Sequence, residues 1–252
     1  MECMKSTKLI VVALCASVLS AFTIGLATAH YKIFPFVHIV AMKNIVFPKP
    51  TPTPTPTPVT IEIRTSHSTH YYQRKSFFEQ HGGHDYDVVF IGDSLTAGAD
   101  WQALFPSLKI ANRGINGDRA DGILNRLDSI YSTSESRAFI MIGLNDFYGG
   151  WSADQVFENY QTIVDKLAVK KVKVFIQSTL YEGRRLGAKN SIAALNEKLQ
   201  LLAAKTDSFT YIDLNSGLAP DSSLETTYTN DGVHLNGDGY AVWKDMIMPY
   251  IK

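Results

Sequence analysis

Val88-Val89-Phe90-Ile91-Gly92-Asp93-Ser94-Leu95-Thr96-Ala97-Gly98 runs from a continuous apolar, mostly β-branched segment into a glycine, an acid, a serine and then small residues. An unbroken apolar run of this length fits a strand covered on both faces, as in a parallel sheet. The small-residue turn leads towards a helix, so Ser94 would sit just beyond the carboxyl end of a buried strand. Open α/β sheets present their reactive groups there. Similar runs recur downstream, and strands are expected at residues 87–91, 109–113, 138–142, 173–177 and 210–214. Helical patterns lie between and after them, at 120–129, 153–169, 190–204 and 237–250. Ser152 and Gln155 are spaced for a capping box at the start of the second. Strand and helix in alternation imply right-handed crossovers, and hence a three-layer α/β/α sandwich around a central, mostly parallel five-stranded sheet.

The chain has 252 residues and a formal net charge of zero, with no lysine or arginine run outside the extreme N-terminus. The basic footprint of a nucleic-acid binder is missing. Both cysteines, Cys3 and Cys15, fall at or inside an N-terminal apolar segment. The rest of the chain therefore offers no disulfide, no cysteine nucleophile and no cysteine zinc site. Cys15 follows Leu14 where a lipoprotein acceptor would follow a small residue, which disfavours lipidation.

Residues 9–29 (LIVVALCASVLSAFTIGLATA) are uncharged, follow Lys5 and Lys8, and are about as long as a bilayer-spanning helix requires. Ala27-Thr28-Ala29 also fits a signal-peptidase site, but the length of the run favours an uncleaved anchor over a signal peptide. In either case the basic flank is expected to stay cytoplasmic and the remainder to be exported. Residues 30–58 form a juxtamembrane segment ending in PKPTPTPTPTP. Every second residue of that repeat lacks an amide donor and has a fixed φ, so it is an extended spacer of roughly 30 Å. The folded domain is expected over residues 59–252. Its first part, 59–85, is polar and rich in histidine and tyrosine, and His81-Gly82-Gly83-His84 within it reads as a polar loop, not a metal site.

A serine hydroxyl is a poor nucleophile until a neighbouring base removes its proton, and that base needs a group to orient it. Asn230-Asp231-Gly232-Val233-His234 offers both. A carboxylate three residues before an imidazole can be aimed by one turn at the ring nitrogen facing away from Ser94. An isolated Asp-x-x-His pair is weak evidence, and a capping aspartate beside a surface histidine would explain it as well.

Four blocks in order carry more weight: Gly92-Asp93-Ser94-Leu95, Asn112-Arg113-Gly114-Ile115-Asn116-Gly117-Asp118, Gly143-Leu144-Asn145-Asp146 and Asp231-Gly232-Val233-His234. Together they span nearly all of residues 87–252, and they resemble the SGNH hydrolase superfamily of GDSL esterases and lipases. The second block is most similar to the platelet-activating-factor acetylhydrolase-like branch. The resemblance implies a flavodoxin-like fold and an acyl-serine mechanism needing neither metal nor cofactor. It also implies Ser94 as nucleophile, His234 as base and Asp231 as its support. The amides of Ser94 and Gly117 and the side-chain amide of Asn145 would form the oxyanion hole, where fixed donors meet the developing charge.

Asp93 and Asp146 read as acceptors that brace loops. Asn116, Arg119 and Tyr148 are candidates for the border of the substrate pocket, and Arg184 and Arg185 in the 180–189 segment could meet an anionic substrate or simply lie in solvent. The stripe Ile192, Leu195, Leu199 and Leu202 has helical spacing and reads as core. The resulting expectation is a serine esterase acting on short acyl, above all acetyl, esters of a carbohydrate or other extracytoplasmic substrate. An O-acetyltransferase of a cell-surface polysaccharide and a non-catalytic carbohydrate-binding module are the alternatives. The oligomeric state is not legible.

Overall fold

A computed structural model describes residues 67–82, 85–130, 137–183 and 187–251, all within the unit Arg64–Lys252. The expected membrane segment, the Thr/Pro spacer, His84, Arg184 and Arg185 lie outside the described residues. Among the described residues no helix is long and apolar enough to cross a membrane.

Five strands, β1 (Val88–Gly92), β2 (Ile110–Gly114), β3 (Arg137–Met141), β4 (Lys173–Gln177) and β5 (Thr210–Ile212), form one sheet in the order β2-β1-β3-β4-β5. Every pairing is parallel. This is the doubly wound, flavodoxin-like order, whose topological switch point falls between β1 and β3. The expected strands are all present, with bounds displaced by one residue in three cases and β5 two residues shorter.

The period of two along each strand assigns side chains to two cores. In-register Ile91, Ile140 and Ile176 point to one face, and Phe90, Phe139 and Phe175 to the other. The three phenylalanine rings stack in series at 5.2 and 4.7 Å, and Trp101 covers Phe90 at 3.7 Å. On the isoleucine face lie α4 (Ala120–Asn125), α6 (Ala153–Val169) and α7 (Lys189–Ala203). The phenylalanine face is covered by α3 (Trp101–Leu104), α8 (Asn215–Leu218) and α9 (Gly237–Ile251). Two further short helices, α2 (Ser94–Ala97) and α5 (Leu144–Tyr148), begin at the carboxyl ends of β1 and β3.

Helix α6 has the expected bounds, and its capping box is complete: Ser152 Oγ accepts from Gln155 N, and Gln155 Oε1 from Ser152 N. The pattern at 120–129 resolves into α4 and a 3-10 turn, Leu127–Ser129. The polar segment before β1 corrects the sequence reading, for Thr69–His81 is a helix, α1, which places His81 in its last turn and not in a loop. It buries Tyr71 and Phe78, seven residues apart on one stripe, while its other positions are mostly polar.

Candidate active site

Strand β1 delivers Gly92 and Asp93 to the switch point, and Asp93 caps α2 by accepting the Leu95 amide at 3.0 Å. Ser94 is the first residue of α2. Its Oγ lies 2.9 Å from Nε2 of His234, and His234 Nδ1 lies 2.7 Å from Asp231 Oδ2. The other Asp231 oxygen accepts the amides of Val233 at 2.9 Å and His234 at 2.8 Å. These bonds, led by the one from the imidazole, hold the Asp231 carboxyl well below the usual carboxylate range. Both side chains are about half exposed, 54% and 53%, so the pair meets solvent directly.

The Asp–His loop is anchored on three sides. Thr229 Oγ1 accepts from the amides of Asp231 at 3.3 Å and Gly232 at 3.0 Å. The Gly183 amide donates to Gly232 O at 2.7 Å, and the Tyr240 hydroxyl of α9 donates to Leu95 O at 2.8 Å. The last bond ties the histidine end of the chain to the serine turn.

Gly117 occupies the turn that leaves β2, closed by Asp118 N to Ile115 O at 3.0 Å. Its φ of +74° suits glycine, and a Cβ there would meet nothing within 4 Å, so it faces open space. Asn145, the second residue of α5, donates from Nδ2 to Asp118 O at 3.0 Å and to Asp93 Oδ2 at 3.3 Å. Its amide therefore bridges the residue after Gly117 and the residue before Ser94. The three expected oxyanion donors are thus drawn together by Asp93 and Asp118.

The carboxylates beneath this mouth are buried. Burial pushes Asp93 and Asp146 each up to about 7, and raises Asp118 too despite its pairing with Arg126. Asp146 accepts the Ala120 amide with both oxygens, at 3.1 and 3.2 Å. Asp93 and Asp146 thus brace loops.

The candidate border residues take different places. Asn116 is exposed beside Gly117. Arg119 is turned to Asp121, bonding both carboxylate oxygens at 3.2 Å, and lies over the Trp151 ring. Tyr148 is half-exposed and donates its hydroxyl to the buried Glu182. Glu182 also accepts the Ala188 amide at the start of α7. Sequence reading passed over Glu182 because its partners have no common spacing with it. Beside the Asp–His loop runs a groove of about 780 Å³, lined by Ser223, Glu225, Thr226, Thr229 and Asp231 among others.

Comparison with known proteins agrees with this architecture. The model of the GDSL-like Lipase/Acylhydrolase family matches residues 90–242, more than half of the chain. An N-acylneuraminate cytidylyltransferase of Streptococcus agalactiae is 26% identical over 148 residues, covering 58% of this chain and 34% of that protein. The chain thus spans about a third of the length of that curated relative. Platelet-activating factor acetylhydrolase IB subunit alpha2 of Gallus gallus is 26% identical over 62% of this chain and 71% of its own. Among solved structures, the acetylxylan esterase Axe2 of Geobacillus stearothermophilus superposes with a TM-score of 0.55 at 16% identity, over 67% of this chain and 95% of that one, which speaks to the fold. With four motif blocks gathered at one switch point and a family model spanning them, this chain belongs to the GDSL-like lipase/acylhydrolase family.

Proposed function

We propose that the chain hydrolyses short acyl esters, above all acetyl, on a carbohydrate or another extracytoplasmic substrate. The observation that carries the chemistry is the relay from Ser94 through His234 to Asp231, at 2.9 and 2.7 Å. His234 takes the Ser94 proton as Oγ attacks the ester carbonyl, and Asp231 holds the ring tautomer and stabilises the imidazolium. The carbonyl oxygen becomes an oxyanion facing the amides of Ser94 and Gly117 and the side-chain amide of Asn145. Collapse expels the alcohol, which takes the proton from His234 and leaves an acyl-Ser94 ester. Water, deprotonated by His234, then releases the acid and restores the serine.

The groove beside Asp231 carries the side-chain oxygens of Ser223, Glu225, Thr226 and Thr229, which can bond the hydroxyls of a sugar alcohol. Two of the similar proteins are named for acetyl esters, one of them on xylan. The extracytoplasmic setting and the membrane tether rest on the sequence of residues 1–58 alone.

The test is hydrolysis of p-nitrophenyl acetate, butyrate and octanoate by the full-length chain and its Ser94→Ala variant, with acetylated or free oligosaccharide added. Turnover that prefers acetate and vanishes in the variant supports the reading. Acetyl transfer to the free oligosaccharide faster than hydrolysis would make the chain an O-acetyltransferase. Oligosaccharide binding with no Ser94-dependent turnover on any ester would make it a binding module.

A further inference from the structure

Helix α1 lies upstream of the region that matches the family, yet it packs directly on the turn that carries Gly117. Ile115, fully buried at the start of that turn, forms a cluster with Tyr71 and Phe78 of the helix. The Tyr71 hydroxyl donates to Gly122 O in α4 at 2.7 Å, and Arg113 Nη2 at the end of β2 donates to Gly82 O just after α1 at 3.2 Å. The turn is therefore clamped by the helix on both flanks.

Beneath the clamp is a buried ion pair. Arg126 approaches Asp118 Oδ2 through Nε at 2.9 Å and Nη2 at 2.8 Å, and both side chains have no solvent exposure. Arg126 Nη2 also reaches Gly92 O at 3.4 Å, two residues before the nucleophile. Asp118 in turn accepts the Arg119 amide at Oδ1 and the Asn145 side-chain amide at its carbonyl oxygen. One ion pair thus links the serine turn, the Gly117 turn and Asn145.

Phe78 is what faces this pair from the helix. Its ring centroid is 4.8 Å from the Arg113 guanidinium carbon and 5.9 Å from that of Arg126. Arg113 Nε and Arg126 Nη1 are buried with no hydrogen-bond partner among the described residues. An aromatic face is the weaker substitute such cations accept, and its effect grows with desolvation. Loss of the ring leaves room for the guanidinium to shift, and Asp118 and the Asn145 amide would shift with it. Donors aimed at an oxyanion tolerate little displacement, since about 1 Å can cost 10²-fold in rate.

We propose that α1 is a positioning element for the oxyanion-binding turn, with Phe78 on the helix and Arg126 just after α4 as positioning residues that act through Asp118. The proposal rests on the reading of Gly117 and Asn145 as oxyanion donors.

The test uses the full chain. Arg126→Met would leave a buried carboxylate unpaired and is expected to unfold. The informative variants are therefore Phe78→Leu, which keeps apolar bulk and removes the aromatic face, and Arg126→Lys, which keeps the charge and removes the fork. Phe77→Leu, on the exposed side of the same helix, is the control. Active serines are counted by complete titration with a fluorophosphonate, and kcat per titrated site and KM are then measured with p-nitrophenyl acetate. Both variants are expected to lose about tenfold in kcat per site, with KM within about twofold and the control unchanged. A reduced titratable fraction with unaltered kcat per site would mean that the helix only holds the fold together, and would overturn the proposal. Asn145→Ala, run alongside, separates the two levels. If it keeps full kcat, the oxyanion reading fails and the inference falls with it. If it loses activity while Phe78→Leu does not, the α1 proposal alone fails, whatever Arg126→Lys does.

Discussion

Asn145 shows how a single side chain is held for its task. Its amide nitrogen is fixed at 3.0 Å from Asp118 O and 3.3 Å from Asp93 Oδ2. Both N–H groups are engaged in the resting chain, so an oxyanion would displace the longer bond, the one to Asp93. Deletion of one oxyanion donor costs about 10²–10³ in kcat. Asn145→Ala is expected to fall in that range with little change in KM, measured on p-nitrophenyl acetate. Asp231 works differently, by orienting a ring through Nδ1. Asp231→Asn offers that nitrogen the wrong tautomer, and kcat is expected to fall by about 10³-fold or more. Retention of wild-type kcat would remove Asp231 from the relay. Ser94, His234, Asp231, Gly117 and Asn145 were all named from motif blocks. Glu182 was not, since the meaning of a buried acid depends on which hydroxyl and amide the fold brings to it, here those of Tyr148 and Ala188.

Among the elements, α5 is short but decisive, because it begins directly after Gly143 and carries Asn145. Gly143 has φ +129°, and a Cβ there would come within 2.9 Å of Leu195 Cδ2 and 3.0 Å of Thr179 Oγ1. Gly143→Ala combines backbone strain with crowding and is expected to destabilise the domain by about 2 kcal/mol. It should also lower kcat by moving α5, and urea unfolding beside kinetics on the same sample would check both. An unchanged unfolding midpoint would show that the turn relaxes freely. The elements read correctly from sequence are those whose apolar period is unbroken, such as α6 with its capping box and the VVFI and FIMI strands. Helix α1 escaped that reading because only Tyr71 and Phe78 face the core, too few to set a helical period among polar neighbours.

At the scale of the whole molecule, the carboxylates buried under the site make stability depend on pH. Asp93 is raised by burial from 3.8 to about 7 in the folded chain. Between those values the unfolded chain has released this proton and the folded chain retains it. The stability contribution is therefore full below about pH 4 and is lost as pH rises through 7. Asp146 acts in the same direction, and the exposed Asp231 in the opposite one, its contribution being lost on acidification. Removing the titration with Asp93→Asn should flatten the decline between pH 4 and 7 by up to about 1.4 kcal/mol per pH unit. Urea unfolding at a series of pH values measures this, and identical slopes in the two chains would show that Asp93 does not titrate there.

The sequence by itself determined the alternation of strands and helices and the parallel sheet, and it nominated the candidate reactive residues. Those features are local: apolar runs report burial on both faces, and motif blocks keep their chemistry in short stretches. Only the tertiary structure decided what joins the blocks. The contact of Ser94 with His234 spans 140 residues of chain. The Asp118–Arg126 pair, the Glu182 clasp and the seat of α1 on the Gly117 turn likewise depend on strand order and on which helix covers which face. Such contacts arise from packing in three dimensions, where residues distant in sequence exclude water together, and no local pattern encodes them.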